Sequence, residues 1–302
     1  MKPLLLHPIN WKDYSLVDSG DGKKLERFGN FLFIRPEPQA LWSPKLPIKE
    51  WDKSSGTFLS SSNPLNEDAT GKWSLKKHLP PKWEMQYDNI KFFATPTPFR
   101  HLGFFPDQSP HWLWASKKIQ SFIKIQGKNY SPKVLNLFGY SGLASLHAAS
   151  HGASVTHIDA SKKAINFAFE NRDLSLFQHL PIKFITDDVI KFVKREIRRD
   201  NKYDGVILDP PKYGRGPNGE KWDFFNDLPI LLKLVTQILT PEPIFVILNS
   251  YAIRSSHVAL HFALNETMRG FSGKVESGEL SIVEDQEDPR QINTAIFARW
   301  EQ

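Results

Sequence analysis

Asp209 is followed at once by two prolines, a lysine and a tyrosine. Pro210 and Pro211 have no N–H and a fixed φ, so they cannot extend a strand ladder and must hold a stiff turn. Their carbonyls are expected to point outward as acceptors. A carboxylate beside aimed carbonyls suits a substrate N–H donor, with Lys212 to orient the loop or meet a phosphate. Tyr213 offers a ring on which a planar base can stack. The plainer alternative for these five residues is a strand-ending turn.

A second constellation lies earlier. Val134–Gly142 (VLNLFGYSG) reads as a buried strand running into a glycine loop. Glycines at 139 and 142 tolerate positive φ and let a ligand come close to the backbone. They equally suit a tight turn with no ligand. The pattern G-x-G-x-x-G is absent, which argues against a pyrophosphate on the helix N-terminus and for a nucleoside cofactor without phosphates. Asp159 follows Gly139 by roughly 20 residues, the distance at which an acid reaches ribose hydroxyls. Ser161 can cap the next helix, which leaves Asp159 freer for a ligand. Asp187 and Asp188 end the next strand. One suits an adenine amine and the other a helix cap, and Asp188 is the preferred adenine partner.

The elements that position these groups alternate along the chain. Strands are expected at Val134–Phe138, Ser154–Asp159, Ile182–Thr186, Val206–Asp209 and Ile244–Asn249. Helices are expected from Pro110 to Gln126, and at Leu143–His151, Ser161–Leu174, Val189–Arg199, Leu228–Leu239 and His257–Met268. Two further β-type runs, Lys274–Val283 and Thr294–Trp300, close the chain. Such alternation gives a parallel sheet with helices on both faces and an antiparallel pair at its end. About 70 residues separate the glycine loop from Asp209, room for two βα units, so both strand ends can share one edge of the sheet. Residues 1 to about 95 differ: five Trp, many prolines and turn signals such as Ser19-Gly20-Asp21-Gly22 predict a small β-rich domain. Ser54–Gly71, rich in Ser, Asn, Gly and Thr, is expected to be a mobile loop. The division expected is 1–95 and 96–302.

Composition narrows the classes. The chain has no cysteine, so disulfides, thiolate nucleophiles and zinc–thiolate sites are impossible. The ten histidines form no HExxH pair, and no metal is expected. Leu4–Leu6 is too short an apolar run for a signal peptide, and no run approaches a membrane span, so a cytoplasmic protein is expected. Aromatics at 13% favour a well-filled core with some aromatic surface for flat ligands. A net charge of +6 favours polyanionic partners without naming one. Lys191–Arg199 (KFVKREIRR) is most simply a solvated helix face, as are the pairs Lys117-Lys118 and Lys162-Lys163.

These motifs resemble the class I S-adenosylmethionine-dependent methyltransferases, and more narrowly an uncharacterised branch of the bacterial ribosomal RNA large-subunit methyltransferase family. The resemblance covers roughly residues 95 to 300, with Gly214-Arg215-Gly216-Pro217 and Asp18–Gly29 pointing to the branch. It implies a seven-stranded, mainly parallel, Rossmann-like α/β sheet and the cofactor S-adenosyl-L-methionine. It implies that Asn136, Phe138, Gly139, Tyr140 and Gly142 cradle the methionine part. Asp159, with Ala160 and Ser161, would hold the ribose, and Asp187 or Asp188 the adenine. The stretch Gly103–Gln108, with Phe105, Asp107 and Gln108, would line the cofactor from another side, and Asp209–Tyr213 would face the target, Asp209 also touching the cofactor. One departure matters: relatives that methylate cytosine C5 attack with a cysteine, which this chain lacks.

The resulting expectation is methyl transfer to a nitrogen of an RNA base, ribosomal RNA being the implied partner. A protein or small-molecule methyltransferase on the same fold is one rival. A non-catalytic RNA-binding protein that keeps the pocket is another. A nicotinamide dehydrogenase is disfavoured by the missing third glycine.

Overall fold

Short apolar runs separated by helices build the main sheet in the computed structural model, which describes residues 2–60, 71–127, 130–251 and 253–302. Its eight strands are β1 (Leu4–Leu6), β2 (Lys133–Leu137), β3 (Ser154–Asp159), β4 (Ile182–Thr186), β5 (Gly205–Leu208), β6 (Phe245–Ser250), β7 (Lys274–Val283) and β8 (Gln291–Glu301). They lie in the order β1-β7-β8-β6-β5-β2-β3-β4. β2, β3, β4, β5 and β6 pair in parallel, and β8 runs antiparallel to β6. The expected count was seven. The eighth is β1, whose three leucines pair in parallel with Gly278–Leu280 at the sheet edge.

Six helices cover the sheet: α1 (Ser109–Gln126), α2 (Leu143–Ser150), α3 (Lys162–Leu174), α4 (Val189–Arg198), α5 (Phe224–Val235) and α6 (His257–Thr267). β5 is buried along its whole length because both its faces are covered. On one face Leu135, Leu137, Val206, Leu208 and Val246 meet Phe192, Leu231 and Leu264. On the other Val134, Val155, Ile207 and Ile247 meet Ala115, Ile119 and Ala148. The strand order reverses at β2, where β3 lies on one side and β5 on the other. Ligands of open α/β sheets bind at such a switch point, outside the carboxyl ends of the strands.

Helix α5 starts four residues before the expected Leu228. Asp223 caps it by accepting from the Asn226 N–H at 3.1 Å, and Asp227 returns the favour to the Asp223 N–H at 2.7 Å. Pro229 therefore sits inside the helix. A two-stranded hairpin, Tyr213–Arg215 with Lys221–Asp223, was not anticipated.

Contacts divide the chain into two units. One comprises Met1–Leu6, Pro110–Leu280 and Ala295–Gln302, and the other His7–Ser109 and Ser281–Thr294. In the second unit Tyr14–Gly20, Lys23–Phe28, Phe31–Pro36, Gly56–Ser60 and Gly71–Leu75 form a five-stranded sheet. Trp83–Tyr87 and Ile90–Ala94 form a hairpin. The expected loop Ser54–Gly71 is thus partly strand, since Gly56–Ser60 pairs with both neighbours; residues 61–70 lie outside the described ones. Aromatics fill this core, as in the parallel stack of Phe33 on Trp83. Arg290 ties the returning segment to the sheet by donating to both Asp18 and Glu284, each buried. No helix among the described residues is long and apolar enough to cross a membrane.

Candidate active site

The register fixes what meets at the switch point. Leu208 of β5 lies beside Leu137 of β2 and Leu248 of β6, so the residues after each emerge along one edge. Those residues are Phe138 and Gly139, Asp209, and Asn249.

The loop after β2 is strained and closely packed. Phe138 and Tyr140 both lie in the left-handed region, at φ 60° and 47°. A side chain pays of order 1 kcal/mol or more for such a conformation, which persists only where the surroundings dictate it. Here they do. Gly139 passes so close to the buried His157 ring that a Cβ would overlap it, and a Cβ on Gly142 would stand 2.9 Å from that of Ala168. His157 is held by Ser145, whose hydroxyl lies 2.9 Å from its Nδ1 and accepts from the Asn136 amide at 2.9 Å. Burial pushes the His157 imidazole down to about 3, so the ring is neutral. The two glycines are therefore demanded by the packing beneath the loop. Asn136 is likewise engaged below it.

Three N–H groups of this loop are already engaged. Gly139 donates to Ile158, Gly142 to Gly139, and Tyr140 to the Asp159 carboxylate at 2.9 Å. A loop that cradles pyrophosphate needs such donors turned toward the ligand. This one suits a ligand without phosphates.

Asp159 joins two strand tips. Its Oδ2 accepts from Tyr140 and its Oδ1 from the Ser161 N–H at 2.8 Å. Burial raises the carboxyl pKa, and the two backbone donors oppose the shift. Each oxygen keeps a further lone pair for a ligand hydroxyl. Ala160 follows in the same turn, and Ser161 caps α3 as expected, accepting from Ala164. Of the two acids after β4, Asp188 caps α4 through Oδ1, accepting from the Lys191 N–H at 2.9 Å. Asp187 is engaged at both oxygens, by the Asp188 N–H at 2.8 Å and by Arg195 at 2.6 Å. The Oδ2 of Asp188 accepts no hydrogen bond among the described residues. The capping role and the open acceptor thus fall on one residue, where the sequence suggested one role for each.

The proline corner differs from expectation in its carbonyls. The Pro211 carbonyl accepts from the Trp222 indole at 2.7 Å, and that of Lys212 from the Phe224 N–H at 3.0 Å. Among the described residues only the Pro210 carbonyl of the three has no protein donor. Asp209 receives the Asn249 amide on Oδ1 at 2.9 Å. Sequence reasoning missed Asn249. The signal was present as a polar ending to the apolar run Ile244–Leu248, at the position that the register sets beside Asp209. Asn249 is buried, and its Oδ1 has no hydrogen-bond partner among the described residues. Tyr213 is 63% exposed, and Lys212 Nζ stands 5.4 Å from its ring centre.

The remaining expected residues, Phe105, Asp107 and Gln108, belong to the other unit. Pro106–Gln108 is a 3-10 turn there, and the buried Asp107 accepts from Thr294 at 2.7 Å.

Comparison with known proteins decides the family. The model of the S-adenosylmethionine-dependent methyltransferase family matches residues 48–295. The chain belongs to that family. This methyltransferase is similar to a crystal structure of the SAM-dependent methyltransferase from Agrobacterium tumefaciens: 41% identical, TM-score 0.92, covering all of this chain and 94% of that one. A ribosomal RNA large subunit methyltransferase K/L of Shewanella frigidimarina is 38% identical over 121 residues, 39% of this chain and 16% of that protein. An uncharacterized RNA methyltransferase of Protochlamydia amoebophila is 38% identical over 135 residues, 44% of this chain and 29% of that protein. The methyltransferase thus matches less than a third of the length of each of these two relatives. The family's cofactor is S-adenosyl-L-methionine, and the donor set fits it: an acid edge suited to a nucleoside, a glycine loop whose Gly139, Tyr140 and Gly142 N–H groups are engaged within the protein, and carboxylates suited to a cation.

Proposed function

We propose that this chain methylates a nitrogen of an RNA base, with ribosomal RNA as the substrate. The observation that carries the reading is the corner at the switch point. There a carboxylate that accepts from an amide, a neighbouring carbonyl with no protein donor among the described residues and an exposed tyrosine ring follow one another in sequence at the tip of β5. A base amine or ring N–H has donors for those two acceptors and a flat face for the ring. The lack of any cysteine removes the route that forms a bond to C6 of a pyrimidine and supports a nitrogen acceptor. The names of the two RNA-modifying relatives support the choice of RNA.

S-adenosyl-L-methionine supplies a methyl group on a sulfonium, which is already electrophilic. Asp159 would hold its ribose and Asp188 Oδ2 its adenine amine, with the loop Phe138–Gly142 along the methionine part. The chain's own task is positioning. Asp209 and the Pro210 carbonyl hold the acceptor N–H donors, Tyr213 stacks on the base, and Asp209 takes up the proton released as the nitrogen is alkylated. Fixing the reacting groups in this way can supply up to about 7–11 kcal/mol in favourable intramolecular systems. A paired base must first leave its duplex.

The test is transfer from methyl-labelled cofactor into RNA, protein and metabolite pools, followed by digestion of the RNA to nucleosides. Label in an N-methylated nucleoside is the expected result. Label at carbon 5 or on a 2′-oxygen overturns the nitrogen assignment, and label confined to protein or metabolites overturns the RNA assignment.

A further inference from the structure

The hairpin beyond the proline corner has two different faces. Gly214 pairs with Trp222, so their side is the inner one. Trp222 is buried, its ring meets Phe138 at 4.9 Å, and its indole donates to Pro211. The hairpin is thereby fixed to the glycine loop and to the acceptor corner. Alternation puts Tyr213, Arg215, Lys221 and Asp223 on the outer side.

On that side Arg215 and Lys221 stand directly opposite each other, both exposed. Like charges in a direct cross-strand pair destabilise a hairpin. Neither forms an ion pair among the described residues, and the nearby acids are occupied. Glu220 pairs with Lys191 of α4 and accepts from the Asn218 N–H. Asp223 caps α5. Two adjacent cations are therefore presented to solvent at the expense of the hairpin, Arg215 being two residues along the strand from the open Tyr213 ring. Residues two apart on a strand are about 7 Å from one another, close to one step of an extended nucleotide chain. A base stacked on Tyr213 would carry its phosphates across Arg215 and Lys221. Combined stacking and backbone neutralisation is how single strands are held without regard to sequence.

We propose that the outer face of this hairpin grips the phosphodiester chain of a single-stranded RNA segment that carries the acceptor base. The inference rests on the reading of RNA as substrate. An anionic protein segment would use the cations but has no planar base for Tyr213, and it becomes an outcome of the test.

The test is Lys221→Glu in the full chain, which turns the like-charge pair into an opposite one. The probe is a short fluorescent poly(U) strand, measured across a salt series, with methylation of total RNA in parallel. The expected result is an unchanged or slightly raised melting temperature, unchanged cofactor affinity, and poly(U) binding weaker by about ten-fold or more, with a salt slope smaller by about 1 to 2. The same charge change at exposed Lys233, at the far end of α5, should leave poly(U) binding near that of the wild type. Wild-type methylation of RNA together with unaltered poly(U) binding in Lys221→Glu overturns the hairpin assignment alone. A wild-type enzyme that methylates an acidic protein fraction and no RNA overturns both the RNA reading and this proposal.

Discussion

At the scale of single residues, the site turns on how Asp209 is held. Asn249 donates to one of its oxygens at 2.9 Å, which orients the carboxylate. Asp209→Ala should lower turnover by about 100-fold or more, the usual effect of removing a positioned acid–base group. Cofactor affinity, read by calorimetry, should stay largely intact; unchanged turnover would remove Asp209 from the reaction. Asn249→Asp is more telling. It sets a second carboxylate against the first, and two such groups cannot both ionise freely, so one apparent pKa of the pair rises. The acid limb of the kcat profile should move to higher pH, with activity returning as pH increases. A profile that merely drops without moving would mean that Asn249 acts only through packing. Asp209 was legible because two prolines mark it locally. Asn249 was not, since its importance comes from a neighbour 40 residues away.

At the scale of elements, most strands and helices were legible because five- and six-residue apolar runs and capping serines are local signals. The exceptions have local causes of their own. The helix expected from Leu228 starts at Phe224 instead, because Asp223 caps it and Pro229 is accommodated inside it. Leu4–Leu6 is too short to declare itself without the partner strand at Gly278–Leu280. The glycine loop was read correctly as a strand-to-helix turn, but the reason for Gly139 lies in the neighbouring strand. Gly139→Ala should lower the melting temperature by an amount equivalent to about 1–3 kcal/mol, the usual cost of overpacking, and weaken cofactor binding. In the Gly139→Ala/His157→Ala pair the loss should be smaller than the sum of the single losses, as for residues in contact. Strict additivity in thermal melts would show that His157 does not set the loop.

At the scale of the whole molecule, buried histidines make the larger unit sensitive to acid. His111, His147 and His157 are each brought down to about 3, chiefly by burial. Unfolded, each takes up a proton as pH falls below about 6.5; folded, each stays neutral until about 3. Depressed pKa values mean that the unfolded chain binds more protons in this window. Stability is therefore complete above about 6.5 and falls with decreasing pH, by about 1.4 kcal/mol per pH unit for each group. Melting temperatures should drop from pH 7 to pH 5, and His111→Phe should flatten the slope. A melting temperature that is level over that range would contradict the burial of these rings.

The sequence alone determined the α/β alternation, the glycine loop and the proline corner. Each is written in a few consecutive residues, whose backbone limits and apolar period do not depend on distant partners. Only the tertiary structure decided which groups stand against them: the Asn249 amide on Asp209, the His157 ring under Gly139, the Trp222 indole on Pro211, and Arg290 reaching Asp18 across 272 residues. Such pairings follow from strand order and register, and no local pattern encodes them, because what selects them is the free energy of burying and satisfying both partners together.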